Sequence, residues 1–202
     1  MKNFFKIIHK LRHYLLIILL FVIVLTTFNA LVVIKKTDLT ILELILYTIF
    51  SVILVIIIDG LTASIIHHLP KKWFDYNKWY LRTYNWERKF FNFIKIKKWK
   101  DKIPEIGALT CDFGKDKINE INNPDYIYDF IIETGYAEII HNLSCLLGFL
   151  LIIILPHKYW YFISLPIAII NVGFNILSAL IQRYNRPKLV ILYKRMNRNK
   201  HQ

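Results

Sequence analysis

Residues 39–66 read LTILELILYTIFSVILVIIIDGLTASII. Glu43 and Asp59 are the only charged side chains in this stretch. A helix needs roughly 20 apolar residues to cross a hydrocarbon core, and this block exceeds that length. Inside lipid the backbone has no water to bond, so the block is predicted to be a helix. Three further blocks rich in Ile, Leu, Val and Phe lie at about 14–34, 139–155 and 159–181. The chain therefore reads as an all-α integral membrane protein with about four transmembrane helices. It is expected to form a single membrane domain over residues 1–202.

Composition agrees. The 202 residues are 55% hydrophobic yet carry a formal charge of +13, with a mean hydropathy of +0.38. Apolar and basic residues occupy separate segments, as in membrane proteins. Short turns join the spans in pairs: Lys35, Lys36, Thr37 and Asp38 after the first, Pro156-His157-Lys158 after the third. Lys2, Lys6, Lys10 and Arg12 precede the first span. A basic tail, 183–202, follows the last, and the central stretch 67–138 holds thirteen more Lys and Arg. An even number of spans puts these three segments on one side. The positive-inside rule makes that side the cytoplasm, with both termini there. The first block is longer than a signal-peptide core and no small-residue cleavage site follows it, so a retained helix is expected. No disulfide is expected between Cys145, inside a span, and Cys111, in the cytoplasmic stretch.

The central segment 67–138 is polar enough to leave the bilayer but unusually aromatic. Trp73, Trp79, Tyr80, Tyr84, Trp86, Phe90, Phe91, Phe93 and Trp99 alternate with lysines and arginines. Rings favour the headgroup zone, and Lys and Arg pair there with anionic lipid. The segment is read as amphipathic and interfacial, with one or two helices over 76–99 lying on the cytoplasmic surface. That placement explains the composition without nucleic-acid binding, its competing reading. Pro104, Gly107 and Asn122-Asn123-Pro124 punctuate the remainder, and a helix beginning after Pro124 is expected to run towards the third span.

Ionisable groups at membrane depth are expensive, which makes each a candidate site. Glu43 reads as an interfacial carboxylate and Asp59 as a group facing the bundle interior. His67 and His68 diverge by about 100° on a helix, so they do not share one metal. Glu138 and His141, at i and i+3, share a face, and Glu133 lies about two turns before His141. A carboxylate beside an imidazole fixes its tautomer and raises its basicity, as a general base requires. Two Glu and one His without thiolate support, and without HExxH spacing, make a poor zinc site. Ser144, Cys145 and Gly148 form a small-residue stripe that lets a helix approach closely. The fourth span presents Asn171, Asn175, Ser178 and Gln182, with interhelical hydrogen bonding expected for Asn171 and Asn175. It ends in Gln182-Arg183-Tyr184-Asn185-Arg186-Pro187. There Pro187 is expected to end or kink the helix, and Arg183 and Arg186 to clamp a phosphate or carboxylate.

Trp99-Lys100, Ile132-Glu133-Thr134, Ala137-Glu138-x-x-His141 and Gln182-Arg183-Tyr184-Asn185-Arg186-Pro187 occur in the order that resembles the glycosyl-4,4′-diaponeurosporenoate acyltransferases. The resemblance covers about residues 70–192. It implies a bacterial cell-membrane acyltransferase of staphyloxanthin-type carotenoid biosynthesis, esterifying a fatty acyl group onto a sugar hydroxyl. The first span is additional to the usual family length. The acceptor stays open between a carotenoid glycoside and another glycolipid or lipid alcohol. On this reading His141, oriented by Glu138 or Glu133, removes the hydroxyl proton. The hydroxyl attacks an activated acyl donor, a thioester. Arg183, Tyr184, Asn185 and Arg186 bind donor phosphates or the oxyanion, with Trp99 and Lys100 also at the substrate. No cofactor or metal is expected, and anionic membrane lipids are further partners. Two other classes compete: a non-catalytic membrane protein binding lipid or a partner enzyme, and a metal-dependent lipid hydrolase.

Overall fold

A computed structural model describes residues 2–32, 39–103 and 120–200. The 35–38 turn, Pro104, Gly107 and Cys111 lie outside them. The described chain is all-helical: α1 (Lys2–Val32), α2 (Ile41–His67), α3 (Asn85–Phe93), α4 (Ile96–Trp99), α5 (Pro124–Leu147), α6 (Leu150–Ile154) and α7 (Leu165–Lys200), with short 3-10 turns and one π-helical turn, Trp160–Ser164. Three stretches are long and apolar enough to cross a membrane: Ile41–His67, Pro124–Ile154 and His157–Arg198. A shorter apolar helix covers Leu16–Leu31. Leu46, Ile53, Ile65, Leu146 and Ile153 lie exposed along these helices. Apolar side chains facing outward in such numbers suit lipid and not water. The chain is a multi-pass membrane protein.

Local sequence explains where helices begin. Thr40 and Glu43 form a capping box at the start of α2. The Thr40 amide donates to Glu43 Oε2 (2.9 Å) and the Glu43 amide to Thr40 Oγ1 (3.2 Å). Two orphan donors of the first turn are thereby satisfied. At α5, Asn123 Oδ1 accepts from the amides of Asp125 (3.1 Å) and Tyr126 (3.3 Å), while Pro124 starts the helix where its missing N–H costs nothing. Residues 124–138, grouped above with the interfacial segment, are thus the first turns of α5. Lys95 adopts a left-handed conformation (φ 51°) between α3 and α4, which divides the 76–99 stretch into two short helices.

Of the two outcomes expected at Pro187, an end or a kink, the end does not occur. α7 continues through it to Lys200. Proline removes the hydrogen bond to the carbonyl four residues back and costs about 3 kcal/mol inside a helix. Tertiary bonds on Arg183 and Arg186, and the burial of Leu189, hold the helix on both sides of the proline. The sequence 182–187 is therefore helix and not a turn.

The chain divides into two compact units, Met1–Leu61 with Ser144–Phe174, and Thr62–Leu143 with Asn175–Gln202. In the first, Leu25, Leu44, Val55, Leu151, Tyr159 and Ile163 belong to the core. Glu43 Oε1 accepts from Lys158 Nζ (3.1 Å) and the Tyr159 hydroxyl (3.3 Å). Asn29 Nδ2 donates to the Phe162 carbonyl (2.8 Å). The small-residue stripe behaves as its spacing suggests: Asn171 Nδ2 donates to the Ser144 carbonyl (3.2 Å), and a Cβ on Gly148 would lie 2.6 Å from that amide nitrogen.

The second unit has two apolar clusters. One joins Ile66, Phe74, Leu81, Ile132, Tyr136 and Ile140; the other joins Ile127, Phe130, Ile131 and Leu189. Phe74 stacks on Tyr136 with ring centroids 3.9 Å apart. The Tyr136 hydroxyl donates to the Leu69 carbonyl (2.7 Å).

Two glycines test this packing with opposite signs. A Cβ on Gly135 would meet the Phe74 backbone carbonyl at 2.8 Å, whereas one on Gly60 would have nothing within 4 Å. Gly60→Ala is expected to stabilise the protein by up to about 1 kcal/mol through helix propensity. Gly135→Ala is expected to destabilise it by about 1 kcal/mol, overpacking outweighing the same gain. Thermal unfolding in detergent should move in opposite directions for the two variants.

Candidate active site

The second unit contains the candidate residues of α5 and α7. On α5, Thr134, Glu138 and His141 follow one another at i, i+4 and i+7, one helical face. On α7, Asn175, Arg183 and Arg186 come to meet them. The segment before and into α3 supplies the third side, through the backbone of Tyr80, Leu81 and Arg82 and the carboxylate of Glu87.

Glu138, 3% exposed, does not turn towards its i+3 neighbour. Its Oε1 accepts from Arg183 Nη1 (2.6 Å) and its Oε2 from Arg186 Nη2 (2.6 Å). Arg183 reaches on to the Tyr80 carbonyl (3.1 Å), the Arg82 carbonyl (3.0 Å) and Glu87 Oε1 (2.8 Å). Arg186, 2% exposed, donates from Nε to Thr134 Oγ1 (2.9 Å), from Nη1 to the Leu81 carbonyl (2.9 Å) and from Nη2 to the Thr134 carbonyl (2.8 Å). Two carboxylates and two guanidinium groups thus make an electrically balanced buried cluster. Charge pairing with short hydrogen bonds from both guanidinium groups is what makes such burial tolerable.

His141 is half-buried and meets a different group: Nδ1 lies 2.8 Å from Asn175 Oδ1. A carbonyl oxygen at that distance accepts, so the neutral ring carries its proton on Nδ1. Glu133 lies against His67, Oε1 to Nε2 at 2.9 Å, while His67 Nδ1 faces the Ala63 carbonyl at 3.0 Å. Lys71 Nζ bonds Asp129 Oδ1 (2.7 Å), and that hydrogen bond holds the ammonium above the usual lysine range.

The remaining predicted residues lie apart from this cluster or at its margin. Trp99 Nε1 donates to the Ile94 carbonyl (2.9 Å), and Lys100 Nζ pairs with Asp101 (2.5 Å). The Tyr184 ring packs edge-on to Phe91 with centroids 5.4 Å apart. Lys188 Nζ sits 3.5 Å from the centre of the Tyr184 ring and 3.5 Å from Asn185 Oδ1. Among the described residues no three His, Cys, Asp or Glu side chains gather at metal-ligand distances.

Glu87 escaped the sequence reading. Its signal was nevertheless present: it is the one acidic residue between Asp75 and Asp101, a stretch otherwise crowded with Lys and Arg. A lone carboxylate there has many basic partners, and burial selects Arg183.

Substitutions within the cluster expose its value. Glu138→Gln leaves Arg186 buried without its carboxylate and is expected to cost about 3–5 kcal/mol. Arg186→Lys keeps the charge but loses the planar fork that reaches Thr134, Leu81 and Glu138 together, and is expected to destabilise in the same direction by less. Both are read as drops in unfolding temperature in detergent; drops within the range of exposed Lys variants would refute the role.

Comparison with known proteins places these residues in a family. The family model described as glycosyl-4,4′-diaponeurosporenoate acyltransferase matches residues 70–195. A protein of that description from Staphylococcus aureus is 30% identical over 143 residues, covering 67% of this chain and 81% of the relative. Those of strains Newman and COL are 30% identical over 139 residues with the same coverage. No solved structure matches. All members of the buried cluster, and His141 with Asn175, fall inside the matched region, and the chain belongs to the glycosyl-4,4′-diaponeurosporenoate acyltransferase family.

Proposed function

We propose that this protein transfers a fatty acyl group from a thioester to a hydroxyl of a glycosylated lipid, with His141 as general base. The observation that carries the assignment is the His141–Asn175 hydrogen bond at 2.8 Å. It directs the proton of the neutral ring to Nδ1 and makes Nε2 the basic nitrogen. The reaction then balances without a cofactor. Nε2 takes the hydroxyl proton as the oxygen attacks the thioester carbonyl carbon. Collapse of the tetrahedral intermediate breaks the C–S bond, and the proton passes from the imidazolium to the departing thiolate. The products are an ester and a thiol.

Glu138, Arg183 and Arg186 act on this reading as positioning residues. They lock α5, α7 and the segment around Glu87 together, and their charges balance among themselves. Glu133 holds His67. The family supports acyl transfer, and the sugar-bearing acceptor follows from what the relatives' description says of them. A carotenoid glycoside is one such acceptor; another glycolipid or lipid alcohol meets the same chemical requirement. The exposed rings of Trp79, Trp86 and Phe93, set among basic residues, suit an anionic headgroup layer where acceptor and donor meet. On this reading the positive-inside rule puts that layer, and both termini, on the cytoplasmic side of a bacterial cell membrane, with about four spans.

Lipid mass spectrometry of cells with and without the protein should show a gain of one fatty-acyl mass on a glycolipid. His141→Ala is expected to lower turnover by roughly 10²–10⁴-fold while the unfolding temperature stays near wild type. Normal turnover in this variant would sink the assignment. Asn175→Asp supplies a finer measurement. A carboxylate facing the ring favours imidazolium, so the base stays protonated to higher pH, and the acid limb of the kcat/KM profile should move upward. An unmoved profile would assign Asn175 a purely structural role.

A further inference from the structure

The second unit contains a cavity of about 1150 Å³ that adjoins the arginine cluster, with Leu81, Arg82 and Arg186 itself in the lining. Five other basic side chains line it: Arg82, Arg88, Lys97, Lys188 and Lys194. Among the described residues no carboxylate belongs to the lining. Among the described residues none of these five makes an ion pair. Arg186 adds no free charge, because Glu138 and Thr134 occupy it. Five like charges around one concavity repel one another, and low-dielectric walls focus their field. Such a cavity is complementary to a ligand carrying several negative charges.

The rest of the wall narrows the ligand class. Asn77, Asn85 and Asn92 bring carboxamides that both donate and accept, and Tyr84 brings an aromatic ring, the residue being 44% exposed. A heteroaromatic base requires such groups; a phospholipid headgroup has neither a ring to stack nor so many charges to neutralise. The volume exceeds what a headgroup fills and lies just above the usual span of small-molecule sites, about 300–1000 Å³. Two of the lysines are already held at the wall by aromatic faces, Lys188 over Tyr184 (3.5 Å) and Lys194 over Tyr76 (5.7 Å).

We infer that this cavity binds the nucleotide polyphosphate portion of an acyl thioester donor. The phosphates lie among Arg82, Arg88, Lys97, Lys188 and Lys194, and the base packs on Tyr84. The donor role rests on the acyl-transfer reading above; the nucleotide site rests on the cavity alone. The expectation from sequence gave phosphate binding to Arg183 and Arg186. The structure commits those two to protein partners and offers these five cations in their place.

Calorimetry with ADP and the full-length protein in a neutral detergent tests the site. Saturable binding is expected, weakened at least about tenfold in the double variant Arg88→Gln/Lys194→Gln, a loss of about 1.4 kcal/mol. It should be kept in Arg88→Lys/Lys194→Arg, with unfolding temperatures unchanged in both. Micelles containing phosphatidylglycerol should leave ADP bound. Absence of saturable binding by the folded protein, indifference to the charge-removing variant, or displacement by phosphatidylglycerol would each overturn the nucleotide assignment, the last transferring the site to a lipid headgroup. His141→Ala separates the two readings. It should bind ADP as wild type does while losing acyl transfer, so acyl transfer without ADP binding refutes only the cavity's role, and ADP binding without acyl transfer to any hydroxyl refutes only the reaction.

Discussion

The second unit depends on a buried balance of charge. Glu87 and Glu138 face Arg183 and Arg186, and the two guanidinium groups also satisfy the carbonyls of Tyr80, Leu81, Arg82 and Thr134. Taking charges out of water costs several kcal/mol per ion. That cost is tolerable here because positive and negative groups are equal in number and each guanidinium donates into a short bond. The carbonyls matter as much as the carboxylates. Residues 80–82 are outside any regular helix, so their backbone has no ladder to join, and buried backbone groups need partners. The arginines supply them, and an irregular segment thereby becomes a defined wall.

α3 follows from the same constraint. A helix of nine residues is too short to be stable alone. Glu87 and Phe91 are its buried residues; one enters the charge cluster and the other meets the ring of Tyr184. The face between them and solvent is left to Trp86, Arg88 and Phe93, side chains suited to a headgroup layer. The helix is therefore held by a buried ion pair on one side and is free to present rings and cations on the other. Glu87, the one acid of that stretch, is thereby committed to Arg183 and not to the basic residues around the cavity.

The polar groups on α5 divide into separate duties. Glu138 belongs to the arginines, Glu133 to His67 and His141 to Asn175. A carboxylate placed directly on His141 would bias the ring towards imidazolium. An amide oxygen orients the ring without adding a charge beside it. The family match, 70–195, spans all of these residues except His67, which ends α2, and so suits a common core built from α3, α5 and α7.

The sequence by itself determined the apolar helices, the start of α5 and the close approach at Gly148. Each is a short-range property: the length of an apolar run, Asn123 beside Pro124, a small residue at helical spacing. Tertiary structure decided the partner of each charge. Helical spacing allowed Glu138 to meet His141 three residues on, yet two arginines 45 and 48 residues away took it. A buried carboxylate gains more from two guanidinium groups than from one imidazole, and no local pattern ranks competitors so distant in the chain. Pro187 shows the same limit. Its local preference is to break a helix, and long-range bonds on Arg183 and Arg186, with the burial of Leu189, outweighed it.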